Sequence, residues 1–410
     1  MRRLLIVTLV ITLVPCAASP LSVREIGPDV DWCSAANALR PGEELRLRPG
    51  EYRGPCAFRS GGSPDAPTVI SGVPNAERPR IVYESAADNV VNIHAGFITL
   101  RRLHFGPTMS AVDAIRIHGG DALTIEDCRF DDLGGAAVVT NRSISQLTIR
   151  ANEISRSRAT AIYLGCHGGE CAVDAVVEGN YISEVTAAPT EVGYGMQVKL
   201  NSVAVIRDNV VRLTKGPGIM VYGSRDLTRL SRIESNFTGA SSTSAGIVVG
   251  GGPVIVRNNI AVGSAGGGIA LEDYGGRGLL RGIVVTHNTV WGNIAGALVI
   301  VSSGRVDARL LHNAVHQPKG PALPDLRPGV ISLGNVDCSV ALCFKSAPQL
   351  DFTPVIGSLL EHRVLRDRWS PEEDYFGNAR PLAAAVGAVE APGGIVLPDH
   401  RKAASAAMRN

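Results

Sequence analysis

The feature that most restricts this chain is a short phrase that returns at intervals of 23 to 29 residues. An apolar strand closes on a turn that carries asparagine: IRAN at Asn152, VEGN at Asn180, IRDN at Asn209, IESN at Asn236, VRNN at Asn259, VTHN at Asn288 and LLHN at Asn313. IEDC, ending at Cys128, has the same phase with cysteine in place of asparagine. Counted from Cys128, successive positions differ by 24, 28, 29, 27, 23, 29 and 25 residues. Repetition at such a period marks a repeat architecture. Each unit holds two or three strands of about five residues, too short to enclose a core alone. Stacking lets every strand pair with its equivalents in the coils above and below. An asparagine at the bend tolerates left-handed backbone angles and bonds its own main chain. Stacked on its neighbour, it also continues a side-chain ladder. Sandwiches and propellers are the competing all-β architectures, but a propeller blade needs about 40 residues. The pattern predicts a parallel β-helix.

Both ends of the chain read differently from the repeat. Residues 1–18 carry Arg2 and Arg3, an apolar run from Leu4 to Val14, and the small-residue stretch Pro15-Cys16-Ala17-Ala18. That is the form of a secretory signal peptide, and the run is too short to span a bilayer. Residues 19–390 are expected to form one β-helix domain, and residues 391–410 a flexible tail. The chain has 40 basic and 38 acidic residues; without Arg2 and Arg3 the balance is 38 to 38. No basic surplus favours nucleic acid, and no other apolar run favours membrane insertion. A secreted or periplasmic monomer is expected.

Seven cysteines follow the leader. Local spacing pairs Cys33 with Cys56, Cys166 with Cys171, and Cys338 with Cys343. Cys128 is left as a buried, inert thiol on the inner turn. The segment Cys166-His167-Gly-Gly-Glu170-Cys171 matches no standard zinc spacing, so a disulfide loop is the preferred reading.

A short helix is expected over Asp31–Leu39, with Asp31 as its N-cap, covering the open end of the stack. After it come PGEELRLRPGEY and the segment ISG at Ile70–Gly72. This order resembles the opening of secreted right-handed parallel β-helix carbohydrate enzymes of the pectate lyase-like kind. DYFGNARP at Asp374–Pro381 and VGAVE at Val386–Glu390 resemble their closing segment. The resemblance implies an all-β fold: a single right-handed parallel β-helix with a short N-terminal capping helix. It covers almost the whole mature chain, yet that fold hosts lyases, hydrolases, epimerases and binding proteins.

Strand alternation locates a candidate site. The first strands of successive coils align as IRIH from Ile115, VVTN from Val138, IYLG from Ile162, MQVK from Met196, IMVY from Ile219, IVVG from Ile247, IALE from Ile269 and LVIV from Leu298. First and third positions are almost all apolar and point inward; second and fourth point outward. Coils lie about 4.8 Å apart, so outward Lys199 and Tyr222 are neighbours, with Tyr163 and Gln197 beside them. Gly165 and Gly250 leave room on either side. Long turns at Thr186–Tyr194 and Thr238–Ser244 are expected to wall the patch.

Lysine, tyrosine and arginine suit β-elimination from a uronic acid, which needs a base, a proton donor and a cation. YGMQVKLN also resembles the lysine-bearing strand of β-helix lyases acting on pectate, alginate or chondroitin-type chains. That resemblance implies Lys199 as the base, with Tyr222 and Arg225 completing the catalytic set. Where the alginate and chondroitin lyases carry an arginine on the next coil, this chain has Tyr222, with Arg225 three residues on. Tyr163, Gln197, His167 and Glu272 are expected to bind an acidic polysaccharide. No cofactor is expected, since the acidic calcium cluster of such enzymes is not evident, with only Glu191 nearby. Hydrolysis would need two carboxylates about 5–10 Å apart, and the outward columns offer only Glu272 with adjacent Asp273. The remaining alternatives are an epimerase and a non-catalytic glycan-binding or envelope protein.

Overall fold

A computed structural model describes residues 22–167, 170–274, 277–361 and 363–396. The expected leader, residues 1–18, lies outside them. The described residues form a parallel β-solenoid with three sheets of thirteen, twelve and ten strands running along its length. Every pairing within these sheets is parallel and joins one coil to the next. Two small antiparallel strand pairs, Phe344–Ser346 with Asp351–Pro354 and Val364–Leu365 with Ala383–Ala384, and three isolated antiparallel bridges depart from this among the described residues. Inward side chains such as Ile162, Leu164, Met196, Val198, Ile219 and Val221 form one continuous core.

The asparagines stack as the repeat requires. From Asn152 to Asn313, each side-chain Oδ1 accepts from the backbone N–H of the preceding ladder residue, at 2.9–3.0 Å. Each Nδ2 donates to a strand carbonyl, Val177 in the case of Asn209. The ladder runs one step further, to Asn335. One detail differs from expectation. The left-handed backbone belongs to the residue before each ladder position, as at Asp127, Ala151, Asp208, Ser235, Asn258, His287 and His312. The preceding residue makes the bend, leaving the asparagine free to bridge coils.

The N-terminal end is closed as expected. Asp31 caps the helix Trp32–Asn37, its Oδ1 accepting from the N–H groups of Cys33 and Ser34. Trp32, Ala35, Ala36 and Leu39 join the solenoid core, and the Cys33–Cys56 disulfide ties the helix to the first coil. Cys166–Cys171 and Cys338–Cys343 are also bridged, and Cys128 is free and buried.

At the other end the chain turns back along the outside of the twelve-stranded sheet. Phe344, Phe352, Tyr375, Val386 and Val389 build a second core against Val210, Phe237 and Ile260. Arg380 anchors this wrap: its guanidinium pairs with Glu390 at 2.6 Å and donates to Asn258 Oδ1 at 2.9 Å. The wrap continues past residue 390. Val396 is buried and its N–H donates to the Leu350 carbonyl at 3.0 Å, so the packed chain reaches at least this far. No helix among the described residues is long and apolar enough to cross a membrane.

Candidate active site

Five strands of the ten-stranded sheet carry the site: Ile162–Leu164, Met196–Val198, Ile219–Val221, Ile247–Val249 and Gly267–Glu272. Their register pairs Tyr163 with Gln197, Gln197 with Met220, Met220 with Val248, and Val248 with Ala270. The fourth column continues it: Lys199 N–H donates to the Leu164 carbonyl, Tyr222 N–H to Val198, and Gly250 N–H to Val221. Sequence parity therefore places Lys199, Tyr222, Tyr163 and Gln197 together on one outer face.

Lys199 is shaped by its neighbours. A Cβ on Gly165 would lie only 2.4 Å from Lys199 Cβ and 2.5 Å from Cγ, so the lysine stem crosses the sheet where glycine leaves it space. The ammonium lies 5.0 Å from the Tyr222 ring centre and 5.8 Å from that of Tyr163, within cation–π range. Burial lowers the Lys199 pKa, and the positive charge of Arg277 adds to the effect. Such a lysine reaches its neutral, basic form more readily than a solvated one.

The tyrosines are less open than alternation implies. Tyr222 is 2% exposed, Tyr163 5% and Gln197 6%. They point away from the coil core but lie under a second layer. The turn before Met196 supplies Tyr194, whose hydroxyl is 3.5 Å from that of Tyr222, and Gln197 Nε2 donates to Tyr222 Oη at 3.4 Å. Tyr274 meets Tyr222 edge to face at 5.9 Å. The long turn is itself clasped, because Lys215 Nζ donates to the carbonyls of Ala188 and Glu191, both at 2.6 Å. The turn that includes Ser242 and Thr243 packs on the same corner through Thr214 and Lys215. Tyr222 thus lies buried beneath Tyr194 and Tyr274, with its ring against the Lys199 ammonium.

The opposite wall is formed by loops that leave the sheet. His167, on the Cys166–Cys171 loop, stacks on Tyr163 with ring centres 4.6 Å apart. Burial lowers its pKa, and the charge of Lys199 lowers it further. Arg225 is engaged by the Glu170 carboxylate, so it pins this loop at the margin of the site. A cavity of about 390 Å³ opens there, lined by Asn141, Arg142, Ser143, His167 and Glu170 together with the disulfide. Glu272 lies three coils from Lys199, half-buried, and burial raises its carboxyl pKa. Among the described residues no group of three or more His, Cys, Asp or Glu converges as a metal site would require.

Sequence reasoning missed Arg277. The loop after Glu272 folds back across Gly250–Gly252. A Cβ on Gly278 would lie 2.3 Å from the Tyr222 carbonyl oxygen, and Gly252 N–H donates to the Leu279 carbonyl. That close passage brings Arg277 into electrostatic reach of Lys199, Tyr163 and Tyr274. Loop arginines carry no periodic signal; the run of glycines at 250–252 was the available hint.

These features define a β-solenoid with a half-buried lysine set among tyrosines on one sheet face, beside a cavity at the disulfide loop. The chain belongs to the right handed beta helix region family, whose model matches residues 109–315. Solved structures of similar shape include the pectate lyase Pel9A, 15% identical with a TM-score of 0.54, covering 91% of this chain and 97% of that one. XylC, solved with xylose, is 9% identical with a TM-score of 0.56, covering 87% and 94%. The PL6-family alginate lyase AlyGC is 11% identical with a TM-score of 0.50, and 92% of this chain covers 60% of it. At these identities the likeness establishes the fold alone. No curated protein sequence matches the chain.

Proposed function

We propose that this is a secreted or periplasmic enzyme that cleaves an acidic, uronic-acid polysaccharide by β-elimination, with Lys199 as the base. The observation that carries this reading is a half-buried lysine, its pKa lowered by burial and by Arg277, held against two tyrosine rings. Lys199 Nζ takes the proton from the carbon bearing the carboxylate. Arg277 faces the carboxylate as charge grows on it, the task of a preorganised cation. The electron pair forms a carbon–carbon double bond as the glycosidic carbon–oxygen bond breaks. Water protonates the leaving oxygen, and the resulting hydroxide takes the proton from Lys199. Buried Tyr222 and Gln197 position the lysine, and Tyr163 with His167 form the floor and edge of the sugar site. Glu272 lies three coils away toward the C-terminus, too far for the chemistry. Similarity of shape to a pectate lyase and an alginate lyase supports the substrate class, and three disulfides suit an oxidising compartment.

The burial of both tyrosine rings favours one second reading, a glycan-binding protein in which Lys199 only pairs with a carboxylate. Lys199→Ala separates the two. Loss of a catalytic base lowers turnover by about 10²–10⁴-fold while the fold and oligosaccharide binding persist. Unchanged turnover in this variant would remove Lys199 from the mechanism.

A further inference from the structure

We propose that the substrate cleft extends from Lys199 toward the N-terminal coils only, and that Arg142 binds the carboxylate of a second uronic acid in the same chain. This rests on the elimination reading above.

The two directions along the sheet differ sharply. Beyond Tyr222 the second-column residues Met220, Val248 and Ala270 are buried beneath Tyr194 and Tyr274 in one apolar cluster. The loop bearing Arg277 crosses Gly250–Gly252 at contact distance. An extended polar chain finds neither space nor hydrogen-bond partners there, and covering its hydroxyls with apolar groups would be costly.

Before Lys199 the second-column Tyr163 and Val139 are also buried, but the fourth column is open and polar. Gly165 carries no side chain, and Asn141 follows it one coil further on. Beyond lie His118 and His94, stacked with ring centres 4.7 Å apart; His118 Nε2 meets Asn92 Oδ1 at 2.9 Å. The cavity beside the disulfide loop sits at the start of this stretch.

Charge selects Arg142 within it. Glu170, the carboxylate on the cavity wall, is already neutralised by Arg225. Arg142 is exposed, and among the described residues no carboxylate forms an ion pair with it. The cavity therefore presents an uncompensated guanidinium, suited to bidentate binding of a carboxylate. Asn141 and Arg142 follow a strand two coils before that of Lys199, roughly 10 Å away at about 4.8 Å per coil. A pyranose ring advances a chain by about one such spacing, so the carboxylate at Arg142 belongs to the sugar two residues from the one at Lys199.

The test uses the Lys199→Ala protein, which holds substrate without turning it over, and calorimetry with saturated di- and tetra-galacturonate and di- and tetra-mannuronate. Adding Arg142→Ala should weaken binding of the preferred tetramer by about tenfold or more, the loss of one charge-assisted contact, and leave the dimer unaffected. Arg142→Lys should recover part of that loss. An unchanged tetramer affinity, or equal losses for dimer and tetramer, would overturn the placement while leaving the elimination reading intact. Failure of every uronate oligomer to bind would overturn both.

Discussion

Asn209→Ala removes one rung from the middle of the asparagine ladder, and the structure fixes what is lost. Asn209 Oδ1 accepts from the backbone N–H and the Nδ2 of Asn180, both at 2.9 Å. Its Nδ2 donates to the carbonyls of Val177 and Arg207 and to Asn236 Oδ1, at 2.8–2.9 Å. Alanine keeps the backbone N–H bond to Asn236 Oδ1, and Asn180 Nδ2 keeps the carbonyls of Ile149 and Glu178. The Asn180 backbone N–H, on a wholly buried residue, loses its acceptor. One buried unsatisfied donor costs about 1–3 kcal/mol, and each lost neutral bond about 1 kcal/mol. Some of these bonds are shared, so the expected destabilisation is about 2–4 kcal/mol. Urea unfolding followed by circular dichroism measures it, with exchange of the Asn180 amide as the local probe, since a solenoid can lose coils piecemeal. Asn209→Asp should be worse at neutral pH, because it turns an oxygen toward three acceptors. A loss below about 0.5 kcal/mol for Asn209→Ala, the range of ordinary surface changes, would show that the ladder does not hold the coils together.

Two further outcomes follow from titratable groups. His287 is fully buried, and desolvation, with the charges of Arg380, His312, Arg257 and Arg366, lowers its pKa to about 2. The unfolded chain binds the proton first, so stability should fall as pH drops below about 6.5, by about 1.4 kcal/mol per unit in the steep part of the range. His287→Asn suits the left-handed backbone there and should flatten this acid limb in pH-dependent urea titrations; an unchanged limb would place its origin elsewhere. Arg277→Ala removes the positive charge near Lys199. The rising limb of the pH–rate profile should then move to higher pH and KM for uronate chains should increase, whereas an unmoved limb would sever Arg277 from the base.

The solenoid was legible because its signal repeats. Seven ladder asparagines and three cysteine pairs could be read directly, and the strand columns kept their register. Asn335 escaped notice because its strand, Val330–Leu333, is half exposed and lacks a clear inner face. A charge ladder escaped as well, although it lies within the same phrases. Two places before successive turn positions stand Glu126, Arg150, Glu178, Arg207, Glu234 and Arg257, ion-paired as Arg150–Glu126, Arg207–Glu178 and Arg257–Glu234. The site was only half legible. Parity gives the direction of a side chain, but its exposure depends on loops that obey no period. Tyr194 and Tyr274 therefore bury what alternation left open, and Arg277 comes within electrostatic reach of Lys199 with no periodic signal to announce it.

The measurement closest to the central claim is the chemistry of the product. Purified protein is incubated with polygalacturonate, alginate and chondroitin-type polymers while ultraviolet absorbance of an unsaturated uronate end is followed. At least one polymer should yield rising absorbance with the wild-type protein, faster at higher pH as Lys199 deprotonates, and essentially none with Lys199→Ala. New reducing ends without unsaturation, or binding of uronate chains without any cleavage, would contradict an elimination mechanism.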